Sequence, residues 1–238
     1  KKISKSDGNA IDPIDIINDY GLDQIRYFLM REVPFGSDGD FSKTALKARI
    51  NSDLSNDLGN LCQRVISMVY KNCNGQIPFK CEMINEQDKL FYNKSNALYN
   101  EVKLEIEKQS FHEALKLIWK FISTANKYVD EQAPWKLKNE NKTRMEDVLW
   151  ILADNIRKIA ILTQPFIPYA SKEILDQLEI DESRLPKSFK PGSLIGNVNK
   201  NASKETGLRE GTPIFAAGGD GQLAGLGTNC TKSDRAYI

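Results

Sequence analysis

Between about residues 54 and 163 the apolar side chains recur every three or four positions, and this periodicity confines most of the chain to amphipathic helices. Leu54, Leu58, Leu61, Val65, Met68 and Val69 form one such stripe, which ends by Gly75. Similar stripes run over roughly 86–107, 110–130 and 144–163. The stripe Phe111, Leu115, Ile118, Trp119, Ile122, Ala125 and Val129 is apolar enough to lie at the centre of a core. Long helices joined by short polar links bury their stripes most simply against one another, so the expected fold is mainly α, an antiparallel helical bundle.

Local signals set the helix ends. Asp12-Pro13 is a start signal, because the Asp side chain accepts an otherwise orphaned amide and Pro at the first helical position gives up no needed donor. A short helix through Ile17 should stop near Gly21, and a second should run from Asp23 through Ile25, Phe28 and Leu29. Pro34-Phe35-Gly36-Ser37-Asp38-Gly39-Asp40 is turn chemistry, and Ser42 caps the next helix. A last helix is expected over about Ala170–Leu178, after the breakers Pro165 and Pro168.

Composition narrows the function classes. Thirty-three Lys and Arg face thirty-two Asp and Glu, a formal net charge of +1, so any anion or nucleic-acid binding must come from local placement. Cys62, Cys73, Cys81 and Cys230 show no C-x-x-C pairing, and with the single His112 they make neither a metal cage nor a disulfide framework. Reduced thiols and a cytoplasmic location without membrane or metal are expected. His112, at a helix start after Ser110, is given no role. Glycine is unevenly spread: six of fifteen fall in 1–190 and nine in 191–238. The helical periodicity stops near Pro186, and Gly211–Ala217 reads as a short buried strand before the glycine-rich turn Gly218–Gln222.

Three groups of residues carry chemistry. Lys2-Ile3-Ser4-Lys5-Ser6 sets two ammonium groups and two hydroxyls on a short loop before Gly8-Asn9, a composition suited to a triphosphate and equally to a solvated terminus. Asn60 and Arg64 are one helical turn apart and fall beside, not within, the stripe of Leu58, Leu61, Val65 and Val69. An amide can read a base edge and a guanidinium can stack on a base or bind phosphate, although a solvated helix face uses the same residues. Trp135 follows Pro134 at a helix junction, where an indole serves either as a stacking platform for an unpaired base or as a cover for the bundle end.

Taken with Tyr27-Phe28-Leu29, Arg31-Glu32-Val33-Pro34-Phe35-Gly36 and Asp38-Gly39-Asp40-Phe41-Ser42, the opening Lys-Ile-Ser-Lys-Ser-x-Gly-Asn-x-Ile-Asp-Pro closely resembles the bacterial-type methionyl-tRNA synthetases of class I. The resemblance covers about residues 1–185, with Ile3 in place of the family's usual Met in the KMSKS loop. It implies a KMSKS loop and stem-contact region over 1–42, an anticodon-binding bundle over 43–180 and a junction over 181–190. It further implies that the loop Lys2, Ile3, Ser4, Lys5 and Ser6 closes on ATP, taken with Mg2+, as methionyl adenylate forms. Lys2 and Lys5 would offset charge gathering on the leaving pyrophosphate. Asn60 and Arg64 match the family's anticodon-reading Asn-x-x-x-Arg pair, and Trp135 its Asp-Glu-x-x-Pro-Trp stacking residue, with tRNA(Met) the partner. The nucleotide-binding half and methionine pocket of the family lie upstream of this loop, so the chain is expected to be a fragment that does not aminoacylate alone.

Beyond 191 the expectation differs. Pro191–Gly196, Thr206-Gly207-Leu208 and Gly211–Gln222 resemble a carbohydrate kinase of the FGGY family, and the resemblance implies a general-base role for Asp220. A short α/β-like segment of foreign origin, of βαβ type and joined through an interrupted reading frame from about 187, is therefore expected over 191–238. A stand-alone tRNA-binding module and a sugar-kinase fragment are the competing functions.

Overall fold

Asp12 accepts the Ile14 amide at 2.8 Å and Pro13 occupies the first position of helix α1, Pro13–Tyr20. Gly21 ends it at φ +93°, a left-handed backbone that disfavours any side chain, and α2 follows at once as Leu22–Glu32. The computed structural model describes residues 12–39, 41–79, 85–178 and 193–215. The expected triphosphate loop Lys2, Ile3, Ser4, Lys5 and Ser6, together with Cys81, Cys230 and Asp220, lies outside them.

Ser42 caps α3, Lys43–Arg49, by accepting the Ala45 amide at 3.3 Å. The helix then continues without a break. Ile50–Gly59 is wound as a π-helix, and α4, Asn60–Asn72, takes over at the residue that opens the expected reading pair. The other long helices are α5, Glu86–Glu107, α6, Phe111–Gln132, and α8, Lys142–Thr163. The short α7, Pro134–Glu140, joins α6 to α8, and α9, Pro168–Gln177, follows the Pro165 turn.

The apolar stripes meet where periodicity puts them. Leu61 and Val65 of α4, Leu115, Ile118 and Ile122 of α6, and Val148, Leu149, Ile151, Leu152 and Ile156 of α8 are almost completely buried. Each large aliphatic side chain contributes on the order of 1.5–3 kcal/mol by leaving water. Phe91 of α5 stacks on both Phe121 and Tyr128 of α6, at centroid separations of 5.4 and 4.4 Å, and so ties these two helices together. A smaller cluster of Ile16, Ile25, Phe28 and Leu46 fastens α1 and α2 to α3.

The chain divides into two compact units, Lys1–Asp181 and Glu182–Ile238. In the second, β1, Leu194–Asn197, pairs antiparallel with β2, Pro213–Phe215, through the partners Leu194↔Phe215, Gly196↔Ile214 and Asn197↔Pro213. Between them α10, Lys200–Thr206, is capped by Asn199 and closed by Gly207. Two expectations are corrected here. The strand near Ile214 is exposed on its surface, Ile214 and Phe215 included, and the strand–helix–strand unit is antiparallel rather than a βαβ crossover. A run of apolar letters between glycines marks strand propensity but does not say what covers it.

Candidate nucleic-acid interface

Arg64 and Trp135 are 71 positions apart in sequence, and the bundle sets the guanidinium carbon 5.2 Å from the centroid of the indole ring. Two local features produce this. Arg64 lies on the first turns of α4 outside the apolar stripe, so it clears the core formed by Leu61 and Val65. At the other end of the contact, α6 stops at Ala133, whose φ of 44° and ψ of 59° are left-handed, and Pro134 starts α7 immediately. That sharp reversal, in a residue for which the conformation costs roughly 1–2 kcal/mol, brings Trp135 back beside α4. The indole keeps 40% of its surface exposed, so one face is available to a flat partner.

Asp130, two residues before the end of α6, accepts a hydrogen bond from Arg64 Nη2 at 2.5 Å. The pair is open to water, Asp130 having 64% of its side chain exposed, so it orients the guanidinium more than it stabilises the fold. Asn60 is exposed one turn before Arg64 on the same helix face. The structure thus brings together the three residues singled out from sequence and adds Asp130, whose role no local pattern announces.

Two buried networks hold this surface. At the near end, Asp88 is fully buried and accepts from Tyr128 Oη at 2.5 Å and from Arg144 Nη1 and Nη2 at 2.5 and 2.9 Å. Arg144 also reaches Gln132 Oε1 at 2.5 Å, which locks the start of α8 to the last residue of α6, three positions before Trp135. Burial pushes the Asp88 carboxyl up, but the Arg144 and Tyr128 hydrogen bonds outweigh it and hold the group below the usual carboxylate range. Asn85-Glu86-Gln87-Asp88 is a reciprocal capping box and could have been found in the sequence; its use of Arg144 and Tyr128 could not.

At the far end, two carbonyls of the π-helix accept side-chain donors from α6. Trp119 Nε1 donates to the Asp53 carbonyl and Asn126 Nδ2 to that of Asp57, both at 3.0 Å, so α6 fastens the segment directly before Asn60. The Asp53 carboxylate accepts from Tyr27 Oη at 2.6 Å and Arg49 Nη1 at 3.2 Å, linking α2 and α3 to the same turn. Burial and the Asp53 charge both push the neighbouring Asp57 carboxyl up. His112 sits 3.2 Å from Glu113, in contact with neither network. Burial pushes the Cys62 thiol up to about 12, which leaves it a packing residue. Among the described residues no group of three or more His, Cys, Asp or Glu could hold a metal, and no helix is long and apolar enough to cross a membrane.

The bundle thus presents one cationic and aromatic surface, Arg64 against a partly exposed Trp135, backed by two buried networks. Two family models match this chain: the anticodon-binding domain of tRNA ligases over residues 88–206, and class I (M) tRNA synthetases over residues 1–66. The chain belongs to the family of anticodon-binding domains of tRNA ligases, with the C-terminal region of methionyl-tRNA synthetases as its counterpart. It is 44% identical over 180 residues to the methionine–tRNA ligase of Brucella suis, covering 76% of this chain and 35% of that protein. The methionine–tRNA ligase of Listeria monocytogenes is 42% identical over 216 residues, 90% of this chain and 32% of that protein. Among solved structures, Mycobacterium tuberculosis methionyl-tRNA synthetase in complex with methionyl-adenylate superposes with a TM-score of 0.73 at 35% identity, covering 91% of this chain and 40% of that one. The chain therefore spans about a third of the length of the curated relatives it matches.

These matches correct the extent of the resemblance. The anticodon-binding model runs to residue 206, and coverage of 90% of the chain necessarily takes in part of 191–238, so synthetase similarity does not stop near 185.

Proposed function

We propose that the chain serves a methionine–tRNA ligase as its anticodon reader and its ATP-closing loop. The observation that carries the reading is the stacked pair of Arg64 and Trp135, with Asn60 one turn away, on the exposed end of the bundle. Trp135 would stack on the first anticodon base, while the Asn60 amide and the Arg64 guanidinium engage base edges and loop phosphates. Asp130 would hold Arg64 extended until a base takes its place, so the site is ordered before tRNA(Met) arrives.

The activation half of the reaction rests on the loop. Lys2 and Lys5 would neutralise charge that passes to pyrophosphate when methionine attacks the α-phosphate of ATP, and Ile3, Ser4 and Ser6 would complete the loop's hold on the triphosphate. ATP would enter with Mg2+. The solved relative from M. tuberculosis bound by methionyl-adenylate, 41% identical with a TM-score of 0.70 over 74% of this chain, supports that chemistry. A cytoplasmic setting follows from the role.

Base–aromatic stacking is worth about 1–3 kcal/mol, so Trp135→Ala should weaken tRNA(Met) binding roughly tenfold to a hundredfold in a gel-shift titration at fixed salt. Unchanged affinity sinks the assignment. Arg64→Ala should in addition lower the preference for the anticodon CAU over others. ATP–pyrophosphate exchange measured with an upstream nucleotide-binding domain supplied, comparing parent with Lys5→Ala, tests the loop.

A carbohydrate-kinase reading of the tail rests on the Gly211–Gln222 sequence motif alone. With Asp220 as base it requires sugar-dependent ATP hydrolysis that Asp220→Asn abolishes, whereas a tail belonging to the ligase shows none.

A further inference from the structure

Half of the exposed lysines described on this bundle are ion-paired. Lys89, Lys103, Lys108, Lys116, Lys127 and Lys142 each lie within 4.0 Å of a carboxylate three or four positions along their own helix. Helix α4 is different: its sequence NLCQRVISMVYKN has two cations and no carboxylate. One cation is Arg64. The other, Lys71, is exposed and has no carboxylate within ion-pair distance among the described residues. At about 100° per residue, Asn60, Arg64 and Lys71 lie within about 40° of one another around the helix, with Lys71 about 10 Å beyond Arg64 along the axis.

The short helix α7 carries two further exposed lysines without an ion pair among the described residues, Lys136 and Lys138, and Lys136 is the one next to Trp135. Helix α7 packs beside α4. The charges along the rod are polarised. Asp57 lies on the turn before Asn60, whereas no acidic residue follows Arg64 on α4. A polyanion across this face is repelled at the Asp57 end and attracted at the Lys71 end.

We infer that Lys71 and Lys136 form a phosphate subsite that seats the backbone of a single-stranded anticodon loop, so that its bases fall on Asn60, Arg64 and Trp135. The inference rests on the anticodon reading and adds to it a direction: the loop backbone runs toward the C-terminal end of α4. Both lysines act as positioning residues. They touch phosphate, carry no base information, and affect all sequences alike.

The test is the salt dependence of binding by the full 238-residue chain. The probes are a methionine tRNA transcript with anticodon CAU and the same transcript with that anticodon changed, titrated between about 50 and 200 mM KCl. Each phosphate contact to a single strand contributes about 0.7 to the log–log slope, so Lys71→Gln and Lys136→Gln should each lower it by about that amount and the double variant by about 1.4. Affinity at 0.1 M salt should fall roughly three- to tenfold for both transcripts, leaving their ratio unchanged. Lys71→Arg keeps the charge and should keep the slope, which separates lost charge from a lost fold.

Parent-like slopes in both glutamine variants, with Trp135→Ala still weakening binding, overturn the phosphate subsite and leave the base reading standing. Lowered slopes with Trp135→Ala silent keep the subsite and overturn the base reading. A loss confined to the CAU transcript overturns the positioning role.

Discussion

Asp88 has no exposed surface, and its charge is tolerable there because Arg144 brings two N–H groups, Tyr128 a third donor and the Asn85 amide a fourth to its oxygens. Arg144→Leu removes two of those donors and the tie to Gln132, so it should cost about 3–5 kcal/mol, read as a lower urea midpoint with an unchanged slope. The same pair sets an acid limit. A carboxyl whose folded pKa is depressed stabilises the fold fully above its unfolded pKa, and that contribution is lost as pH falls through the folded value. Urea titrations of the parent should therefore show stability falling below about pH 4, and Asp88→Asn should be less stable at neutral pH but lose less on acidification. At the reading face the effects are small. Asp130→Asn removes an exposed pair worth at most about 1 kcal/mol, so stability should hold while tRNA affinity falls severalfold as Arg64 loses the partner that orders it. Arg64 and Trp135 were legible because their residue types stand out against a helical stripe and a proline junction; Asp130 is one acidic letter among thirty-two and is found only once α4 and α6 are side by side.

Helix boundaries were the most legible elements, since Asp12-Pro13, Gly21 and Ser42 each do locally what their chemistry predicts. The π-helix over Ile50–Gly59 was not legible. Its apolar residues Leu54 and Leu58 continue the stripe of α4 well enough to satisfy an α-helical period, and what changes is the hydrogen-bond pattern, fixed by donors 66 and 69 positions away on α6. Trp119→Phe keeps the ring in the core but removes its hydrogen bond to the Asp53 carbonyl, at a cost of about 0.5–1.5 kcal/mol. Because Asn60 begins where the π-helix ends, the same change should raise amide exchange over 50–64 and weaken tRNA binding although Trp119 touches no base. Exchange confined to α6 would show that the π-helix holds its winding without that bond. Helix α7 escaped sequence reading for another reason: seven residues are too few to form a stripe, and its position follows from the left-handed Ala133.

At the scale of the molecule the sequence drew a line near residue 186 from lost periodicity, and the structure divides into compact units between Asp181 and Glu182. The anticodon-binding model nevertheless continues to residue 206, through β1 and α10. The two boundaries answer different questions, one about packing and the other about ancestry, and truncation separates them. The buried core of the first unit lies on α1 to α9, and a unit with its own core carries its own stability. A chain ending at Asp181 should melt within about 2 °C of the parent, less than roughly 1 kcal/mol for a chain of this size. Because Asn60, Arg64, Lys71, Trp135 and Lys136 all remain, its affinity for the CAU transcript and its salt slope should also be unchanged. A melting temperature lowered by more than about 4 °C would mean that 182–206 completes the helical core, making the ancestral boundary the physical one. Intact stability with lost tRNA affinity would instead place a nucleic-acid contact in the tail, where Lys200 and Lys204 of α10 are the cations to replace next.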